Sequence, residues 1–177
     1  NSIEFIASDI ATNADGARTV FSADIDGDGD MDIISGAFYD DAIYLYENDG
    51  AADPSFTAIN IANSVDGIEN VHAADVDGDG DIDILSASSA DDKVAWHENN
   101  GNGSFTSHNI TTSAVGACSV FAADIDGDGD MDIVSASMSD DKIAWYRNDG
   151  SENFTVIVIG TSADKPYSVF AADMDAD

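Results

Sequence analysis

Ala23-Asp24-Ile25-Asp26-Gly27-Asp28-Gly29-Asp30-Met31-Asp32-Ile33 returns residue for residue at Ala123 to Ile133, and a close variant stands at Ala74 to Ile84. A fourth copy begins at Ala172. The first Asp of each copy, Asp24, Asp75, Asp124 and Asp173, follows the previous one after 51, 49 and 49 residues. A period of about fifty marks a repeat architecture, in which each unit is one supersecondary element that buries its apolar faces on its neighbours. The rest of the unit repeats too: Asp41 to Asn48, Asp92 to Asn99 and Asp141 to Asn148 align without gaps. The extra length of the first unit falls in the turn containing Ala51, Ala52, Asp53 and Pro54.

Within a unit the pattern predicts four short strands. In the first they are Val20 to Asp24, Met31 to Ala37, Ala42 to Glu47 and Ser55 to Ile61, with the acidic run between the first two. Asn48-Asp49-Gly50, Asn99-Asn100-Gly101 and Asn148-Asp149-Gly150 are turns between the third and fourth strands, because Asn and Gly accept the positive φ of tight hairpins. Ser35-Gly36-Ala37, Ser86-Ala87-Ser88 and Ser135-Ala136-Ser137 are small enough for neighbouring sheets to approach closely. No segment holds a helical period. Four antiparallel strands per fifty residues is one propeller blade, so the fold class is all-β, a β-propeller of about three and a half blades.

Residues 1–17 read as a leading outer strand, Ile3 to Ile10, and a loop; 18–66, 67–115 and 116–164 are blades one to three; 165–177 open a further blade. Three blades are fewer than the four or more that close a propeller. Closure is therefore expected from association of copies, or from a longer chain of which this is a piece.

The acidic run carries the chemistry. Five carboxylates at alternate positions repel one another strongly unless a divalent cation sits among them. An all-oxygen set of this size favours Ca²⁺, whose flexible coordination by six to eight oxygens suits a loop better than octahedral Mg²⁺. Side chains are expected at positions 1, 3, 5 and 9 and the backbone carbonyl at position 7. Three sites follow: Asp24, Asp26, Asp28, Asp30 and Asp32; Asp75, Asp77, Asp79, Asp81 and Asp83; Asp124, Asp126, Asp128, Asp130 and Asp132. The EF-hand is excluded, because position 12 is Ser35, Ser86 or Ser135 where that loop needs Glu. The fourth copy has Ala176 in place of the first Gly and is not read as a working site.

At these loops the chain resembles the FG-GAP or VCBS-type repeat family, the calcium-binding blades of integrin alpha-chain propellers, fungal propeller lectins and many secreted bacterial proteins. The resemblance implies a propeller, generally seven-bladed, with structural calcium and an extracellular host. The Phe-Gly and Gly-Ala-Pro signature that names the family is absent, and the Trp-containing third strand is closer to the bacterial and lectin-like branch.

Composition agrees with a cation partner. The chain carries 36 Asp and Glu against five Lys and Arg, a formal charge of −31, yet its hydrophobic content of 44% is enough for a core. Such a charge makes nucleic acid and anionic membranes poor partners. No apolar stretch approaches the roughly 20 residues needed to span a bilayer. Three divalent ions would cancel only a fifth of the excess, so a salty or calcium-rich setting is expected: extracellular or cell-surface, of a marine microbial kind. Sites of about 10⁻⁴ to 10⁻³ M would be filled there. The single cysteine, Cys118, forms no internal disulfide and reads as a small buried residue.

Ligand binding is sought where the repeats differ. Arg18, Glu69, Cys118 and Tyr167 occupy one column before the first strand, which reads equally as a grafted site or as an unconstrained loop. Trp96 and Trp145, aligned with Leu45, read as interblade packing or as sugar-stacking surfaces. The candidate ligand residues are Arg18, Glu69, Tyr167, Trp96 and Trp145. His72, His97 and His108 stand at unlike positions and offer no metal-ligand spacing, and no nucleophile elbow or phosphate loop is present. Asp40-Asp41, Asp91-Asp92 and Asp140-Asp141 read as turn formers. The sequence is therefore read as non-catalytic: a secreted calcium-binding module for carbohydrate or extracellular protein, lectin-like or adhesive. The alternatives are a self-assembling propeller piece that closes as a homo-oligomer, and the accessory part of a polysaccharide-degrading enzyme.

Overall fold

The computed structural model describes residues 8–174. Twelve strands form three four-stranded antiparallel sheets in simple sequential order. Blade 1 is β1 (Ala17–Ala23), β2 (Asp32–Ala37), β3 (Ala42–Asn48) and β4 (Phe56–Ala62). Blade 2 is β5 (Ile68–Ala74), β6 (Asp83–Ser88), β7 (Lys93–Asn99) and β8 (Phe105–Thr111). Blade 3 is β9 (Ala117–Ala123), β10 (Asp132–Ser137), β11 (Lys142–Asn148) and β12 (Phe154–Gly160). Every predicted strand of these blades is present, displaced by a few residues at its ends. Most of the expected leading strand, like Asp175 to Asp177 of the fourth loop, lies outside the described residues; residues 8–10 are not in a strand.

The three blades share one register. Ile34 faces Leu45, Leu85 faces Trp96, and Val134 faces Trp145; each inner pair shifts at one equivalent irregularity near its start. Period-two alternation then sends one set of side chains toward the next blade and the other toward the previous one. Ile34, Leu45, Ile68, Val71 and Ile84 make the apolar core between blades 1 and 2, and Leu85, Val94, Trp96, Val120, Ile133 and Tyr146 the core between blades 2 and 3. Gly36 is required by this approach: a Cβ there would stand 2.7 Å from Ile68 Cγ1 and from Thr19 Cγ2.

The innermost strands are stitched side to side. Val71 N donates to Thr19 Oγ1 (3.3 Å), Val120 N to Asn70 Oδ1 (3.0 Å) and Val169 N to Ser119 Oγ (3.1 Å). Phe21, His72, Phe121 and Phe170 pack in succession, the first pair edge to face and the others tilted, with centroids 4.9, 4.5 and 4.5 Å apart, so His72 serves as one rung of an aromatic ladder. Residues 165–174 thus lie where the inner strand of a fourth blade belongs, although they join no sheet. The turn-forming Asp residues couple blades as well. Asp41, Asp92 and Asp141 adopt φ of 52°, 57° and 56°. Their carboxylates accept from Gly67 N, Gly116 N and Lys165 N, fastening the connection that enters the following blade.

Candidate metal centres

Each acidic run links the innermost strand of a blade to the second strand. Its shape is set by Asx turns: Asp26 Oδ1 accepts from Asp28 N, Asp28 Oδ1 from Asp30 N, and Asp24 Oδ2 from Gly29 N. The chain turns back through Gly29, Gly80 and Gly129 at φ of 97°, 99° and 98°, a region that side chains with a Cβ rarely enter.

The result brings positions 1, 3 and 9 together in all three loops. Asp24, Asp26 and Asp32 each offer an oxygen within 4.8 Å of the others, as do Asp75, Asp77 and Asp83, and Asp124, Asp126 and Asp132. Positions 5 and 7, Asp28, Asp30, Asp79, Asp81, Asp128 and Asp130, lie outside these triads. Asp32, Asp83 and Asp132 are the anchors, all fully buried. Asp32 accepts from Ile25 N through one oxygen and from Asn48 N through the other, both at 2.9 Å. Asp83 does the same with Val76 N and Asn99 N, and Asp132 with Ile125 N and Asn148 N.

Electrostatics leaves room for a positive charge. Burial, assisted by neighbouring loop carboxylates, raises the pKa of Asp26, Asp77 and Asp126. Burial pushes Asp83 up to about 6 despite its two amide donors. Asp24 Oδ1 is buried without a hydrogen-bond partner. Three convergent carboxylates, one with an orphaned oxygen, fit a hard divalent cation.

Asn99 and Asn148 also serve these loops, a role the sequence reading missed by treating them as turn and surface residues. Asn99 Nδ2 donates to Ile25 O of loop 1 (2.9 Å) and Asn148 Nδ2 to Val76 O of loop 2 (3.2 Å). Both side chains are buried. Their recurrence in register with Asn48 was the available signal.

Of the candidate ligand residues, Arg18 and Glu69 are brought together, and Tyr167, Trp96 and Trp145 do not join them in one site. Arg18 Nε pairs with Glu69 at 2.6 Å and its guanidinium lies over the Phe38 ring, 4.6 Å from the centroid. Cys118 Sγ donates to Pro166 O, and burial lifts the thiol to about 11. Tyr167 is exposed. Trp96 is buried between blades 2 and 3, whereas Trp145, on the open face of blade 3, is half-buried with its indole nitrogen unpartnered.

Comparison with known proteins agrees with this architecture. A solved Agrocybe aegerita lectin, studied for specific recognition of non-reducing terminal N-acetylglucosamine, superposes with a TM-score of 0.56 at 23% identity, covering 81% of this chain. The chain spans 38% of that lectin's length. No curated protein matches. The model of the FG-GAP-like repeat matches residues 24–86, 75–135 and 124–177, and the chain belongs to that family.

Proposed function

We propose that this chain is a calcium-stabilised propeller segment of an extracellular binding protein, non-catalytic, with carbohydrate as its ligand. The observation that carries the metal reading is the threefold recurrence of one buried Asp bridged by two backbone amides beside two further carboxylates. Oxygen-only donors on a flexible loop favour calcium over other divalent ions. The protein's residues hold the ion through Asp24, Asp26 and Asp32 and their equivalents, and the ion supplies charge neutralisation that fixes the loop. A fixed loop keeps its carbonyl at Ile25 or Val76 in place for the next blade's Asn, so calcium acts on the contact between blades. An extracellular setting fits sites that fill at high calcium, and the charge of −31 fits screening by salt.

The carbohydrate reading is supported by the lectin likeness and by a groove between blades 1 and 2. That groove, about 390 Å³, is lined in part by Asn63, Ser64, Lys93, His97, Ser107 and Asn109. Amide, hydroxyl and imidazole groups of this kind suit sugar hydroxyls, and Lys93 at the groove is already paired with Asp91. The second reading, closure by other copies, is favoured by residues 165–174, which carry Phe170 72% exposed beside β9 without joining a sheet.

Calorimetric titration of the chelated chain with Ca²⁺ and Mg²⁺, repeated on Asp26→Asn, tests the metal. Three calcium equivalents, falling to two in the variant, are expected; an unchanged stoichiometry would move the site elsewhere. An array of N-acetylglucosamine-terminated glycans tests the sugar, and absence of signal would leave a protein ligand. Sedimentation velocity tests closure, where a monomer at all concentrations would remove the second reading.

A further inference from the structure

The two seams between blades use the same positions and fill them to different extents: the cavity at the equivalent place between blades 2 and 3 holds only about 180 Å³ and is not lined by the strand residues Trp96, His108 or Glu98. In the seam between blades 2 and 3, Trp96 is 1% exposed and its indole stacks on His108, with centroids 4.7 Å apart. His108 Nε2 in turn lies 2.8 Å from Glu98 Oε2. At the seam between blades 1 and 2, the register puts Leu45, Ile59 and Glu47 in the places of Trp96, His108 and Glu98. Leu45 and Ile59 are smaller than the rings they replace. A cavity of about 340 Å³ stands beside them, with Leu45, Ile59 and Phe105 lining its apolar side and Asp26, Glu47 and Asp81 its acidic side.

The filled seam shows what the open one lacks: a flat ring against the apolar floor and a nitrogen facing the strand carboxylate. Glu47 has no ion pair among the described residues, and no Lys or Arg lines the cavity. We propose that the cavity between blades 1 and 2 binds a small aromatic cation of the arylalkylamine class, its ring on Leu45, Ile59 and Phe105 and its ammonium on Glu47. Asp26 is committed to loop 1 when a metal is bound, so Glu47 is the anchoring carboxylate. Asp81, outside the triad of loop 2, adds attraction across the mouth. A volume near 340 Å³ is in the range of small-molecule sites, and burial of a ring contributes through removal of apolar surface from water. Anions are repelled by this lining, and a neutral ring gains nothing from Glu47. The proposal goes beyond the calcium and sugar readings and depends on neither.

Tryptamine and its neutral analogue tryptophol are the probes, titrated by calorimetry and ligand-observed NMR into the full chain at physiological ionic strength, with calcium and with chelator. Tryptamine is expected to bind about tenfold or more tightly than tryptophol, the scale of a hydrogen bond to a charged partner. Glu47→Gln should erase that preference, while Asp53→Asn, which removes the same charge from an exposed turn, should keep it. The pair Leu45→Trp with Ile59→His, copying the filled seam, should abolish binding and leave the calcium titration unchanged. Equal affinity for the two probes overturns the proposal, as does equal loss in Glu47→Gln and Asp53→Asn, which would show only bulk attraction to an acidic chain. If the filled pair does not fold, Glu47→Gln against Asp53→Asn still decides. Calcium heats are read separately, so failure of the metal reading and failure of this one are distinguishable.

Discussion

Asn99 Nδ2 donates to the carbonyl of Ile25, a residue 74 positions earlier and one blade away, at 2.9 Å. The carbonyl belongs to position 2 of the first acidic loop, and Asn99's own backbone amide donates to Asp83, the anchor of the second loop. One residue therefore connects two candidate metal centres. Asn148 repeats the arrangement between Val76 and Asp132.

Asn99→Ala should destabilise the calcium-loaded protein by about 1–3 kcal/mol, because it strands a buried carbonyl and removes a buried donor. Loop 1 should lose calcium affinity more than loop 3. Thermal melting at fixed calcium, with a calcium titration of the same variant, checks both; equal affinity at loops 1 and 3 would disconnect the clasp from the metal.

The third loop should be the weakest. Ile25 and Val76 are 3% and 2% exposed beneath the following blade, whereas Ile125 is 39% exposed and receives no such Asn among the described residues. Glu47 and Glu98 stand beside loops 1 and 2, and Asp77 feels Glu98 among its charged neighbours. At the same register the third blade has Arg147, which opposes a cation. Arg147→Glu should raise affinity at loop 3 about two- to fivefold at low salt, an effect that fades as salt screens it. Stepwise calcium titration followed by NMR of the glycine amides at Gly27, Gly78 and Gly127 would show whether loop 3 fills last.

Asp83 and His97 should give the chelated protein opposing pH dependences. Burial raises Asp83 to about 6, so the folded state binds its proton more tightly than the unfolded state, and stability falls as pH rises from about 4 to 6. Burial lowers His97 to about 4, between Ser86 Oγ and Ser107 Oγ, so its contribution is present above about 6.5 and lost as pH falls toward 4. His97→Gln in chelator should tilt the slope downward with rising pH, opposed only by His72, whose pKa burial also lowers, and calcium should remove most of the Asp83 contribution. Melting curves between pH 4 and 7 decide; a slope unchanged from the parent would contradict the assignment to His97, and a calcium-independent slope the assignment to Asp83.

Gly36→Ala should cost about 1–3 kcal/mol, since the new methyl would meet Ile68 and Thr19 of the seam. Ala87 and Ala136 hold the equivalent place in the other blades, so the cost reports the tighter approach at the first seam. A melting temperature equal to that of the parent would mean that the sheets part without penalty.

The repeat, the four strands of each unit, the loop turns and the convergence of acidic side chains were legible in the chain's order of residues, because these depend on hydrogen bonds and φ preferences among near neighbours. Asp24 and Asp32 share one loop, so their convergence is written within nine residues. The contacts between units follow from the packing of whole sheets. Asn99 reads locally as a turn residue, and only the fold sets the carbonyl of Ile25, in the preceding blade's loop, beside it. Trp96 and Trp145 occupy one phase of one strand, yet the first is sealed by blade 3 and the second is half-open. Arg18 and Glu69 stood in a variable column and proved to be ion-pair partners. Such contacts join residues about fifty to seventy-four positions apart, and they follow from how closely two twisted sheets pack. Leu45 and Ile59 leave a cavity for the same reason: side-chain volume has a consequence only once the facing blade fixes the gap.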